Sequence, residues 1–122
     1  MDALMFIPPA NMQVYLALGH TDMRKAINGL SVLVENRMQL DPFSGNLFVF
    51  TNRRRNILKI LYWDRNGFCL WQKRLEKHRF RWPDSYNNEV VEIEGRELSW
   101  LLEGLDTRGV KAHDRLSYTS LV

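Results

Sequence analysis

Ten basic side chains fall between Arg53 and Arg81: Arg53, Arg54, Arg55, Lys59, Arg65, Lys73, Arg74, Lys77, Arg79 and Arg81. Only Asp64 and Glu76 oppose them, so the segment carries +8 and leaves −5 to the rest of a chain whose total is +3. Such a cluster can neutralise phosphates. Lysine and arginine displace the counterions of a nucleic-acid backbone, and the guanidinium fork grips a phosphate at two points. Tyr62, Trp63, Phe68, Trp71, Phe80 and Trp82 interleave with the charges, and such rings can stack on unpaired bases. The competing explanation for the rings is core packing, because a small sheet needs its large residues inside. For the cations it is a solvated rim. The pattern predicts a nucleic-acid-binding set of Arg53, Arg54, Arg55, Lys59, Lys73, Arg74, Lys77, Arg79 and Arg81, with DNA as the partner.

Other constellations fail. Asp22, Asp41, Asp64 and Glu76 invite a metal-dependent nuclease, but two-metal phosphoryl transfer needs carboxylates converging on ions about 4 Å apart. Asp22 reads as a helix cap, Asp41 as a turn starter and Asp64 as a hairpin residue. His20, His78 and His113 lack ligand spacing, and the single Cys69 reads as a small core residue. There is no P-loop and no Gly-x-Gly-x-x-Gly. The expectation is a chain with no catalytic residue, metal or cofactor. Trp100 lies opposite the leucines of its helix and is a partner-contact candidate.

The elements that must hold these residues are legible from periodicity. Val14 to Leu18 is a short apolar strand. Thr21 or Asp22 opens a helix whose stripe is Met23, Ile27, Leu30 and Val34, with Gly29 packed close to a neighbour. Asp41-Pro42-Phe43-Ser44-Gly45 is a turn. Leu47-Phe48-Val49-Phe50 is apolar at every position and predicts a central strand covered on both faces. Ile57 to Trp63 and Phe68 to Leu75 form a hairpin around Asn66-Gly67, which pairs Tyr62 with Trp71 and Lys59 with Arg74. Its pleat puts Leu58, Ile60, Tyr62, Cys69, Trp71 and Leu75 on one face. Glu89 to Ile93 is an edge strand. Gly95 to Leu105 is a second helix with stripe Leu98, Leu101, Leu102 and Leu105, ending at Gly104.

The chain has 122 residues, 45% hydrophobic and 25% charged. Those proportions are those of one globular domain rather than a disordered, fibrous or membrane chain. One cysteine excludes an internal disulfide, and no run of about 20 apolar residues exists to span a membrane. The opening residues lack a basic region before their apolar run, which two prolines stop, so they do not read as a signal peptide. The expected location is cytoplasmic. The expected architecture is α+β: a single compact domain over residues 1–106, an antiparallel sheet of four or five strands, and two helices packed on one face. Residues 107–122 lose periodicity and read as a loose tail.

These residues also resemble a known family. Tyr15-Leu16-Ala17-Leu18-Gly19-His20-Thr21-Asp22-Met23-Arg24-Lys25, with Gly29-Leu30 behind it, is similar to its opening motif. Asp41 to Phe50, then Arg53-Arg54 and Lys59, is similar to its second. Trp63-Asp64-Arg65-Asn66-Gly67-Phe68-Cys69-Leu70, Lys73-Arg74-Leu75-Glu76 and Phe80-Arg81-Trp82-Pro83 follow, and Leu101 to Asp106 closes the series. The family is the accessory TnpB, or second-open-reading-frame-like, proteins of IS66 insertion sequences, distinct from the RNA-guided nuclease that shares the name. His78 stands where that pattern has glycine. The resemblance covers about residues 13–106 and implies a bacterial mobile element, a role in transposition, and a separate DDE-type transposase subunit as partner. It transfers no functional residue. The function expected is therefore a non-catalytic accessory protein that supports DNA transposition by binding nucleic acid through a basic β-hairpin. The alternative is an adaptor that docks on the transposase without touching DNA.

Overall fold

The computed structural model describes residues 11–84 and 89–104. Strand β1 (Val14–Ala17) is followed by helix α1 (Ile27–Asn36), then by β2 (Leu47–Thr51), β3 (Ile57–Asp64), β4 (Gly67–Arg74), β5 (Val90–Ile93) and helix α2 (Gly95–Leu102). Among the described residues these strands form one sheet in the order β4-β3-β2-β1-β5. The chain is a compact α+β domain.

The sheet is mixed rather than antiparallel. β1 and β2 run parallel, with Val14 opposite Leu47, while every other neighbouring pair is antiparallel. The connection explains it. A two-residue turn reverses a chain, but α1 carries it back across the sheet, and a crossover of about a dozen residues or more joins parallel strands.

β2 is buried at all five positions and is the middle strand of five. Its side chains alternate between two cores. Phe48 and Phe50 join Leu30, Val34 and Met38 of α1 and the residues after it. Leu47 and Val49 join Leu98, Leu101 and Leu102 of α2, together with Phe80 and Trp82. The two helices therefore lie on opposite faces, not on one. A strand that is apolar on both sides needs two covers, because each unburied leucine or phenylalanine forfeits roughly 1.5–3 kcal/mol.

α1 starts one turn later than its capping residues suggest. Its N-cap is Ala26, with no side-chain cap. Asp22 instead accepts the Arg24 backbone N–H and pairs with its guanidinium at 2.6 Å. The carbonyls of Met23 and Lys25 face the Lys59 ammonium rather than an α-helical turn. Gly29 leaves room for the stem of Lys25, whose carbons would stand 3.3 Å from an added Cβ. α2 starts as read, with Glu94 and Glu97 forming a reciprocal capping box. Gly104 follows its end at φ +75°.

The hairpin loop is Arg65-Asn66, not Asn66-Gly67, so the register differs by two residues. Tyr62 opposes Cys69, Lys59 opposes Gln72 and Asp64 opposes Gly67. An even shift keeps every side chain on its face. Tyr62, Trp71 and Leu75 accordingly pack on the α2 core with Leu58 and Ile60. On the other face, Trp63 meets Phe68 edge-on at 5.0 Å, and both meet Phe43. This three-ring cluster favours the observed pairing. The region expected to be a loose tail, residues 107–122, lies outside the described residues.

Candidate nucleic-acid interface

The cations gather at one end of the sheet, where β2 passes to β3. Asn52 builds that turn. Its Oδ1 accepts the backbone N–H groups of Asn56 and Ile57 at 3.0 and 3.1 Å, and its Nδ2 donates to Asn56 Oδ1. The Thr51 hydroxyl donates to the Ile57 carbonyl. Arg53, Arg54 and Arg55 occupy the resulting corner, Arg55 at φ +63°.

The chain leaving β4 crosses the same corner. Leu75 N–H donates to Asn56 O, Phe80 N–H donates to Arg55 O at 2.7 Å, and the Trp82 indole donates to Ala17 O at 3.1 Å. Phe80 and Trp82 are buried anchors, so the residues between and before them are held outward. Lys77, His78, Arg79 and Arg81 are exposed beside Arg53 and Arg54. None of the cations Arg53, Arg54, Lys77, Arg79 and Arg81 forms an ion pair with a described residue. His20, just past β1, reaches the same end, with Nε2 3.4 Å from the Arg53 guanidinium. Sequence does not single out His20 as a partner of Arg53. A histidine after a strand end carries no local signal of what packs beside it.

The other expected contact residues stand elsewhere. Lys59 is a correction: it is 8% exposed, and its ammonium donates to Met23 O at 2.9 Å and Lys25 O at 2.8 Å. Lys73 is another: half-buried on the α2 face, it donates to Leu102 O at 2.6 Å. There the ammonium meets the negative end of the helix dipole. Arg74 is exposed but paired with Glu76. Arg55 is half-buried. Burial lowers the pKa of its guanidinium and Asp84 partly opposes this, while Nη1 has no hydrogen-bond partner among the described residues. So the basic surface is not the hairpin itself but its open end. The hairpin tip, with Arg65, lies about 25 Å away, the length of an eight-residue strand.

The rings do not line this surface. Phe80 and Trp82 are buried, Tyr62 and Trp71 cover the α2 core, and Trp63 and Phe68 sit by the hairpin tip. The core explanation holds for five of the six, since Phe68 also packs on the α1-side core. Trp100 is half-buried rather than fully exposed, with the Arg96 guanidinium 5.8 Å from its ring centroid.

The carboxylates do not converge. Asp22 pairs with Arg24, Asp41 Oδ1 accepts the Phe43 N–H, Asp64 ends β3, and Glu76 pairs with Arg74. Among the described residues no three His, Cys, Asp or Glu side chains could hold a metal ion. Nor is any described helix long and apolar enough to cross a membrane.

The described residues form a small α+β fold with exposed cations gathered at one sheet end. The chain's family is defined by sequence. The family described as IS66 Orf2-like protein matches residues 12–112, and the chain belongs to it. Two relatives from Sinorhizobium fredii are similar along most of their length. One, named uncharacterized protein y4hO, is 43% identical over 98 residues, covering 80% of this chain and 84% of the relative. The other, uncharacterized protein y4jC, is 34% identical over 104 residues, covering 85% and 88%. No solved structure matches.

Proposed function

We propose that this protein is a non-catalytic accessory component of an insertion sequence that supports transposition by binding the phosphate backbone of nucleic acid, DNA above all. The observation that carries the reading is the set Arg53, Arg54, Lys77, Arg79 and Arg81, exposed at one sheet end and without an ion-pair partner among the described residues. Family membership supplies the insertion-sequence context. Cations on a rigid turn fix register on a backbone but read no bases, so the binding is expected to be weakly sequence-dependent.

The test is fluorescence anisotropy of labelled duplex and single-stranded DNA across a salt series. If the five cations each neutralise one phosphate, log K falls with log salt at a slope of about −4.5 on duplex. Terminal-repeat and random sequences should then bind within about tenfold of each other. Absence of binding at low salt sinks the proposal and leaves the same cations as a surface for an acidic protein, the transposase subunit first among candidates.

A further inference from the structure

We propose that the Arg55 guanidinium is a preformed seat for one phosphate group, set among the exposed cations of the sheet end. Among the described residues its Nη1 is the one buried side-chain nitrogen or oxygen without a hydrogen-bond partner. Native folds leave few such atoms, and each asks for a reason. The guanidinium also has no counter-ion: no described carboxylate lies within ion-pair distance of it, and Asp84 acts on it only through space. Lys59 and Lys73 are withdrawn from water too, but their ammoniums hold backbone carbonyls. Arg55 is half-buried and holds none among the described residues. A partly desolvated, uncompensated cation is costly to the fold and attracts an anion.

The backbone fixes where this fork stands. Arg55 N–H donates to Asn52 O at 3.1 Å, and its carbonyl accepts the Phe80 N–H at 2.7 Å. Its φ of +63° is a left-handed conformation that glycine or asparagine adopts more easily. An arginine held there at that cost points to a use for the side chain. Packing closes Nη1 off, while Nε and Nη2 are not among the sealed atoms. They form the open edge of the fork, and one edge can grip two oxygens of a single phosphate.

The surroundings select the anion. Arg53 and Arg54 precede Arg55 on the same turn, and Arg79 and Arg81 flank Phe80, whose N–H it accepts. All four are exposed and outside any described ion pair. Such a setting favours a ligand of dense negative charge. The choice of phosphate over carboxylate rests on the nucleic-acid reading of this sheet end. Exposed arginines must give up rotamer freedom to hold a phosphate, and Arg55, already fixed by packing, gives up less. It is therefore the anchor to which the surface cations add. A backbone phosphodiester and free inorganic phosphate share this chemistry, and two probes separate them.

The experiment uses the full chain. NMR follows the arginine Nε–H resonances during titration with duplex DNA and, separately, with inorganic phosphate. Anisotropy follows the duplex affinity of wild type and Arg55→Lys over a salt series. Lysine keeps the charge and loses the fork. The Arg55 resonance is expected to shift and saturate. Arg55→Lys should bind duplex about tenfold more weakly, with the wild-type salt slope of about −5.4 unchanged, six phosphates instead of five. A response to DNA, with or without one to inorganic phosphate, assigns the seat to the backbone phosphodiester. A response to inorganic phosphate alone assigns it to free phosphate. Two results overturn the proposal: an Arg55 resonance unmoved by both probes, or an Arg55→Lys protein that binds the responding probe as tightly as wild type. Either can occur while the exposed cations still bind DNA, which leaves the nucleic-acid reading standing. If wild type binds no DNA, that reading fails and the inorganic phosphate titration decides this one. Should Arg55→Lys fail to fold, the wild-type resonances decide by themselves.

Discussion

Replacing Lys59 with methionine deletes the ammonium while keeping its aliphatic stem. The side chain is 8% exposed and donates to two backbone carbonyls, Met23 O and Lys25 O, in the loop before α1. A hydrogen bond to a charged group contributes about 1.5–3 kcal/mol net, so two such bonds set an upper range of about 3–6 kcal/mol. Two terms reduce it. The variant no longer pays for burying an ammonium, and Lys25 is exposed, so its carbonyl can turn to water. The expected loss is about 2–3 kcal/mol, below that upper range. With a urea slope of about 1–3 kcal/mol/M, the unfolding midpoint should fall by about 1–2 M with the slope unchanged. The companion variant changes Arg53 and Arg54 together to glutamine. Both are exposed and outside any described ion pair, so stability should move by less than about 0.5 kcal/mol. Its salt slope for duplex DNA should flatten by about 1.8, one phosphate lost per arginine. Urea unfolding and anisotropy on both proteins give the four numbers. A Lys59→Met protein as stable as wild type but defective in DNA binding would refute the assignment of Lys59 to the core. An unchanged slope in the arginine variant would refute the interface.

Three further outcomes are expected. Trp82→Phe keeps the ring but loses the donor to Ala17 O; it should cost about 1–3 kcal/mol in urea unfolding, because a buried carbonyl is left unsatisfied. Gly104→Ala has space, with Leu75 Cδ1 3.8 Å from the new Cβ, but must hold φ +75°; thermal or urea unfolding should show a loss of about 1–2 kcal/mol. The Arg24 guanidinium, through its side-chain hydrogen bonds above all, holds the Asp22 carboxyl down at about 2 against an ordinary 3.8. A carboxylate depressed in the folded state contributes stability above its unfolded pKa and loses it as pH falls through the folded one. Its stabilising contribution should therefore fade between about pH 4 and 2, carboxyl NMR of Asp22 should show a midpoint near 2, and Arg24→Ala should return that midpoint toward 3.8.

Strand positions were readable because each depends on a local pattern, alternation or a short unbroken apolar run. The all-apolar run of β2 already demanded a central place and two covered faces, but not which element covers each, and the expectation of both helices on one face failed there. The parallel pairing of β1 and β2 follows from the same reasoning once the intervening helix is treated as a crossover. The hairpin register was misread because Asn-Gly is a local turn preference. The three-ring contact of Phe43, Trp63 and Phe68 comes partly from a segment some twenty residues upstream. The α1 start was misread for a like reason: Asp22 had the chemistry of a cap, but Lys59 claimed the carbonyls of that turn.

Family membership, the charge asymmetry, the elements and the apolar cores belong to the sequence, since each follows from residue type and near-neighbour spacing. Which cations are free does not. Lys59, Lys73 and Arg53 are equivalent charges in the one-dimensional pattern. The first is spent on loop carbonyls across 34 and 36 positions, the second on the end of α2 across 29, while the third faces solvent at a turn. A long flexible side chain is committed by whichever backbone acceptor tertiary packing brings within about 3 Å, and no local pattern specifies that acceptor.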